Sequence, residues 1–372
     1  MDKRIIVPRI VVRPILPPPL EIGARIRPQW LHWQVGRYRE KLSFGPGGEG
    51  KAKVWVPEKE GEQHNLILDY FYDTIIPNHG FIGASQYAVV GRGSTEPDPS
   101  QIQLASEVAR SNTLPDGESN EIEALPTPGE YIIRRIVEFS FGGSGGINLT
   151  EWGFTPGGLS TGLMTRELFR DGSGNPVVLT LTTDQKLRLI YRYKVTVSPT
   201  SPQDVSVNIG GNGPGIRTAK FLLTGRIGNV STPYMGVHIS SDSSYAARRG
   251  DLIIADVFAR AGTRGGVGTA GVSSSAAPLT YIHSTTRVAT ANPNKSLSYE
   301  APVGRSRRAS ILFQTSEANI TIKSVILNSN MGTALNTDTG PGGNLVFDNG
   351  QEFTKDSLHK LFIGYWQITW GP

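Results

Sequence analysis

Histidine is the side chain most ready to bind a metal or move a proton near neutral pH. The chain has six: His32, His64, His79, His238, His283 and His359. No two are spaced at i, i+2 or i, i+4, so the paired ligands that a strand or helix offers to zinc are missing. Each reads as a solitary surface or core histidine. None of the 372 residues is cysteine, which excludes disulfides, thiolate metal centres and cysteine nucleophiles. Two carboxyl groups about 5–9 Å apart could cleave a glycosidic bond, and Glu138, Glu151, Asp171 and Asp184 are candidates by type. Spacing along the chain does not put them face to face. Gly266-Val267-Gly268-Thr269-Ala270-Gly271 matches GxGxxG, and Asp251 to Phe258 could be the strand before it. A dinucleotide site also needs a helix after the glycines, and Ser273 to Pro278 offers none, so a flexible loop is expected there. No phosphate-binding loop and no GxSxG elbow occurs. The chemistry-bearing residues therefore predict no enzyme, no cofactor and no metal.

Arginines cluster at Arg134-Arg135, at Arg248-Arg249 and at Arg305, Arg307 and Arg308. Nucleic acid would want a continuous basic face with stacking aromatics. These short clusters read instead as intersubunit ion pairs or solvated side chains, and nucleic acid is not an expected partner. The formal net charge is +5, yet residues 1–53 carry 11 Lys/Arg against 4 Asp/Glu. The basic character belongs to the start of the chain and asks for an acidic partner. No apolar run of about 18 residues suggests a membrane-spanning helix, and the first residues lack the apolar stretch of a signal peptide.

The start of the chain is also rich in proline. Pro8, Pro14, Pro17, Pro18, Pro19 and Pro28 punctuate residues 1–28. Proline fixes φ and removes an amide donor, so this segment is expected to be extended and not a central strand. Ile10, Val11, Val12, Ile15 and Leu16 are too apolar for a free tail. They predict an assembly arm that docks on a neighbouring subunit, with Arg9 and Arg13 pairing to acidic groups; a strand wrapped on its own domain is the alternative. Residues 29–60, with Trp30, Trp33 and Trp55, form an aromatic-rich connecting segment, with a strand over 51–56.

Two helices are expected, Asn65–Ile75 stopped by Pro77, and Gln101–Arg110 capped by Ser100, because their apolar residues recur at helical spacing. Between them Gln86–Gly93 reads as a buried strand. From residue 130 the alternation is that of strands, at 132–141, 147–154 and 186–197, separated by Gly- and Asn-rich turns. The 44 glycines and 25 prolines fit such a pattern. Pro199–Gly215 has linker composition, and Gly262–Ala277 reads as a mobile loop. The resulting division is an arm at 1–28, a connecting segment at 29–60, a first β domain with short helices at 61–199, a linker at 200–217 and a second β domain at 218–372. Residues 134–199 and 307–372 also resemble each other. Asn148-Leu149-Thr150, Gly174-Asn175-Pro176-Val177 and Lys186–Tyr191 match Asn319-Ile320-Thr321, Gly343-Asn344-Leu345-Val346 and Lys360–Tyr365. The fold expected is mainly β, two β-sandwich-like domains from a tandem duplication.

Several stretches resemble the fibre and virion-structural proteins of tailed bacteriophages. They are Asn65–Ile67, Tyr87–Pro97, Leu104–Arg110, Asn148–Phe154, Leu168–Pro176, Lys186–Val197 and, more loosely, the ending Tyr365–Pro372. The resemblance covers about a third of the chain well, and its motifs are structural. It implies a non-enzymatic virion component, a neck, collar or proximal tail-fibre protein, homo-oligomeric and in contact with portal, adaptor, tail or capsid subunits. A fibre that binds a host surface glycan, through the 262–277 loop and Tyr281, or a capsid decoration protein, is the other role it implies.

Overall fold

The computed structural model describes residues 20–45, 48–142, 146–158, 162–211, 215–225, 238–239, 250–262, 267–281, 291–330 and 340–372, and the fold is mainly β as expected. The first half contributes β1 (Leu20–Gly45), β2 (Gly48–Gln63), β3 (Leu66–Ile67), β4 (Tyr87–Gly91), β5 (Glu107–Ser111) and β6 (Glu121–Ala124). It continues with β7 (Glu130–Ser140), β8 (Ile147–Leu149), β9 (Glu151–Thr155), β10 (Thr165–Leu168), β11 (Leu179–Leu181) and β12 (Lys186–Ser198). A helical segment between β3 and β4 holds a π turn over Phe71–Ile75, α1 (Ile76–His79) and a 3-10 turn over Gly83–Ser85. The second half contributes β13 (Gln203–Gly211), β14 (Gly215–Leu223), β15 (His238–Ile239), α2 (Gly250–Ala259), β16 (Val267–Ser273), β17 (Ala291–Ser296) and β18 (Ser298–Tyr299). After these come β19 (Ser306–Phe313), β20 (Thr321–Ile322), β21 (Ser324–Asn330), β22 (Gly340–Phe347), β23 (Phe353–Thr354) and β24 (Leu361–Gly371).

Eight antiparallel strand pairs of the first half recur in the second among the described residues, while β2 and β15 have no counterpart. The antiparallel pairs β1·β12, β7·β12, β6·β7 and β8·β11 return as β13·β24, β19·β24, β18·β19 and β20·β23. Likewise β9·β10, β3·β10, β4·β9 and β4·β5 return as β21·β22, β14·β22, β16·β21 and β16·β17. The helical segment of the first half and α2 of the second occupy the same place in this order. Each half also sends a buried arginine onto a carbonyl of its own helical segment, Arg135 Nη2 to Ile82 O at 2.8 Å and Arg307 Nη1 to Ala259 O at 2.6 Å. The sequence similarity is in register at β12 and β24. It slips at Gly174–Val177, which turns between β10 and β11, whereas Gly343–Val346 lies inside β22.

The core sits between the sheets. In the first half the inward row Leu187, Leu189, Tyr191, Tyr193, Val195 and Val197 of β12 is buried. Tyr191 stacks on Phe154 at 4.8 Å, and Trp33 meets Phe169 at 6.3 Å. Burial pushes the Tyr72 and Tyr193 hydroxyls up to about 12. It also raises Tyr131, Tyr191, Tyr281 and Tyr299. A tyrosine whose folded pKa is raised stabilises fully below pH 10, its ordinary value, and loses that contribution as pH climbs through the folded value. Tyr72 and Tyr193 alone correspond to about 3 kcal/mol each between pH 10 and 12. The urea midpoint is therefore expected to be level from about pH 8 to 9.5 and to collapse above 10. A midpoint unchanged at pH 11 would contradict this.

Several expectations are corrected. Leu20–Pro28 is no arm: it opens β1, a central strand between β12 and β24. Leu20, Ile22, Ala24 and Ile26 alternate into the core, each 4% exposed or less, and Pro28 falls at a bulge where the ladder is already interrupted. Residues 29–60 are not a connector but the rest of β1 and most of β2, a long hairpin. Residues 200–217 are not a linker, because β13 and most of its hairpin with β14 lie there. Asn65–Ile75 is helical only from Asp69, and Pro77 does not stop it but lies in the first turn of α1, directly after the π turn. Gln101–Arg110 is not a helix: the Ala105 and Ser106 amides bond to the Glu151 carboxylate, and β5 follows. Asp251–Phe258 is helix α2, not a strand; it is buried on every side and so shows no amphipathic period. The expected loop at 262–277 contains β16, paired on both edges. Its Gly268 leaves room for the Tyr299 hydroxyl, which a Cβ would strike.

The two halves are welded. β1 runs parallel to β24 over Leu20–Arg25 and Trp366–Gly371. Asp256 of α2 accepts the Phe81 and Ile82 amides at 2.9 and 3.0 Å through Oδ1 and pairs with Arg260 at 3.0 Å through Oδ2, with Asp256 and Arg260 fully buried. Trp370 Nε1 donates to Tyr72 O at 2.7 Å, and Arg305 holds Asp69 and Asp73.

Candidate functional site

The docking residues expected from the sequence, Arg9, Ile10, Val11, Val12, Arg13, Ile15 and Leu16, lie outside the described residues. The point where that segment joins the body is described. Leu20 is buried at the head of β1 and borders a cleft of about 490 Å³ lined also by Asp204, Val205, Thr218, Ala219 and Asp348. Asp204 accepts a hydrogen bond from Lys220, which this contact and nearby Asp348 hold above the ordinary lysine range.

The four candidate carboxylates are committed to structure. Glu138 accepts from Lys186 at 2.5 Å, Arg188 at 3.0 Å and Tyr38 at 3.2 Å. Glu151 is fully buried; it accepts the Gly93, Ala105 and Ser106 amides and a two-pronged contact from Arg166 at 2.8 and 3.0 Å. Burial pushes its pKa up, but the Arg166 guanidinium and the three amides outweigh that and leave it below the usual carboxylate range. Asp171 accepts the Asn175 and Ser173 amides, which hold it low. Asp184 is held low by the Thr182 hydroxyl and by Arg37. A general acid would need a raised value in an accessible place. Asp251 is raised by burial, yet it is wholly enclosed and accepts from Tyr131 at 2.5 Å, Tyr281 at 2.8 Å and the Leu252 amide at 2.8 Å. Tyr281, expected to serve a glycan, thus points its hydroxyl into the seam between the halves.

The histidines stay apart where they are described. His32 contacts Glu60 at 3.2 Å, His64 meets the Gln29 carbonyl at 2.9 Å and His359 contacts Asp356 at 2.7 Å. Among the described residues no group of three metal-ligating side chains comes together.

One constellation escaped sequence reading. On the outer face of the first half, Arg25, Arg27 and Trp30 of β1 lie beside Lys194 and Arg192 of β12, with Arg27 paired to Lys194 and Trp30 to Arg192. The Arg192 guanidinium covers the Trp30 ring at 4.7 Å. The alternations Arg25-Ile26-Arg27 and Arg192-Tyr193-Lys194 are legible as strand periodicity, but only the register brings them together. No protein-family model, curated protein or solved structure matches the chain.

Proposed function

We propose that the protein is a non-enzymatic structural subunit of a tailed-phage virion, of the neck, collar or proximal-fibre kind, that docks on neighbouring subunits through residues 9–16. The observation that carries this reading is the entry of the N-terminal segment into the body as β1, a strand hydrogen-bonded to β12 of one half and β24 of the other. Load that reaches Leu20 would pass into both halves through main-chain ladders. Ile10, Val11, Val12, Ile15 and Leu16 would bury apolar surface on a partner at about 25 cal/mol per Å². Repetition around a symmetric assembly multiplies such modest contacts. The commitment of Glu138, Glu151, Asp171 and Asp184 to internal bonds supports a structural role over a hydrolytic one.

Deleting residues 1–19, and not the nine that follow, is expected to leave the urea midpoint within about 0.5 kcal/mol equivalents of the intact chain while abolishing incorporation into particles. Normal incorporation of the truncated protein would overturn the docking role.

A further inference from the structure

We propose that the outer face of β1 and β12 binds single-stranded nucleic acid, with Arg25, Arg27 and Arg192 taking phosphates and Trp30 stacking a base. This goes beyond the structural role and does not rest on it. Arg27 stands directly opposite Lys194, and Arg192 directly opposite Arg134 of β7. Like charges facing each other across an antiparallel pair are destabilising. Lys194 and Arg134 are relieved by Glu130 at 2.7 Å and Glu118 at 2.9 Å. Arg25, Arg27 and Arg192 have no carboxylate partner among the described residues, and Arg192 Nε is buried without an acceptor. Three cations are left uncompensated on one flat face, an arrangement that a polyanion would satisfy.

The type of polyanion follows from the side chains. All three unpaired groups are guanidinium forks, which match phosphate bidentately. Arg25 and Arg27 recur every second residue of a strand, about 6.6–6.8 Å apart, comparable to the step between phosphates of an extended single strand. Trp30, half-buried and backed by Arg192 on its ring, supplies the aromatic platform on which a base of any identity stacks. An indole flanked by cations suits a polyanion that carries stackable rings, and among the described residues the patch has no exposed large apolar side chain to enter a lipid surface. A basic strip with an aromatic, missing from any one stretch of sequence, is assembled here from two strands far apart in the chain.

The test is fluorescence anisotropy of the full chain with a labelled oligothymidylate of about 20 nucleotides, from ~50 to ~200 mM salt. Arg25→Glu/Arg27→Glu is expected to weaken binding and to make the salt slope shallower by about 1.4, two single-strand phosphate contacts. Trp30→Ala is expected to weaken binding about 5- to 150-fold with the slope unchanged. Urea unfolding checks that each variant folds, and Arg25→Gln/Arg27→Gln replaces the charge reversal if it does not. Absence of binding at ~50 mM salt would overturn the proposal. So would wild-type affinity in both variants, which would place binding elsewhere on the chain. Heparin binding tighter than the oligonucleotide and indifferent to Trp30→Ala would assign the face to a sulfated polysaccharide and overturn it too.

Discussion

Replacing Asp256 with alanine is expected to lower the stability of the whole chain by about 3–5 kcal/mol, the cost of breaking a buried ion pair from one side. The carboxylate does three jobs at once. It neutralises Arg260, which is itself fully buried, and it accepts the Phe81 and Ile82 amides of the other half. Alanine strands a positive charge and two N–H groups away from water. An asparagine at the same position would keep an acceptor for the amides while removing the negative charge that faces Arg260, so Asp256→Asn is expected to fall between alanine and wild type. The neighbouring Gly80, at φ +71°, leaves no room for a Cβ beside the same carboxylate, so Gly80→Ala is expected to disturb the same joint. Urea unfolding followed by tryptophan fluorescence measures all three. A loss below about 1 kcal/mol for Asp256→Ala would mean that the joint between the halves does not depend on this ion pair.

Glu151→Ala is the second large loss, again about 3–5 kcal/mol. It unties Arg166, which also holds Thr95 O at 2.9 Å and Gln101 Oε1 at 2.5 Å, and it frees the Gly93, Ala105 and Ser106 amides. Elsewhere the segment from 92 to 106 is held by single contacts, among them Asp69 N to Pro99 O at 2.9 Å, Leu163 N to Ile102 O at 2.9 Å and the buried Leu104, so limited proteolysis is expected to cut it faster in the variant than in wild type. The effect is pH-dependent with a definite sign. A carboxyl group whose folded pKa lies below its unfolded value stabilises above the unfolded value, 4.5 here, and loses that contribution as pH falls through the folded one. The gap in stability between wild type and Glu151→Ala should therefore be full near neutrality and shrink in acid. A gap independent of pH would assign it to packing instead.

What could be read from the sequence follows from which residues are buried on one side only. β7 alternates over residues 130–135 and β12 over residues 189–197, because there one face packs inward and the other is only half-buried. The mainly β character and the internal repeat were legible for the same reason. α2 was not, because burial of all ten residues erases the apolar stripe that marks a helix. Residues 101–110 misled in the opposite sense: Leu104 and Val108 have helical spacing, but Glu151, over forty residues away, takes the amides that a helix would need. β1 was hidden by the prolines before it and by Pro28 within it, where a bulge absorbs the missing donor. Of the site, the individual arginines could be seen. Their convergence with Trp30 could not, since it depends on the pairing of residues 25–30 with 192–196.

The parallel pairing of β1 with β24 also orders events during synthesis. The first half has all its own strands once residue 198 has left the ribosome. Until residues 366–371 emerge, however, the edge of β1 that faces β24 has no ladder partner, and an open edge is a template for wrong pairings. The nascent chain must carry that vacant slot until nearly all of the second half has been made. A chaperone or a slow translation rhythm acting on the first half would do its protecting in that interval.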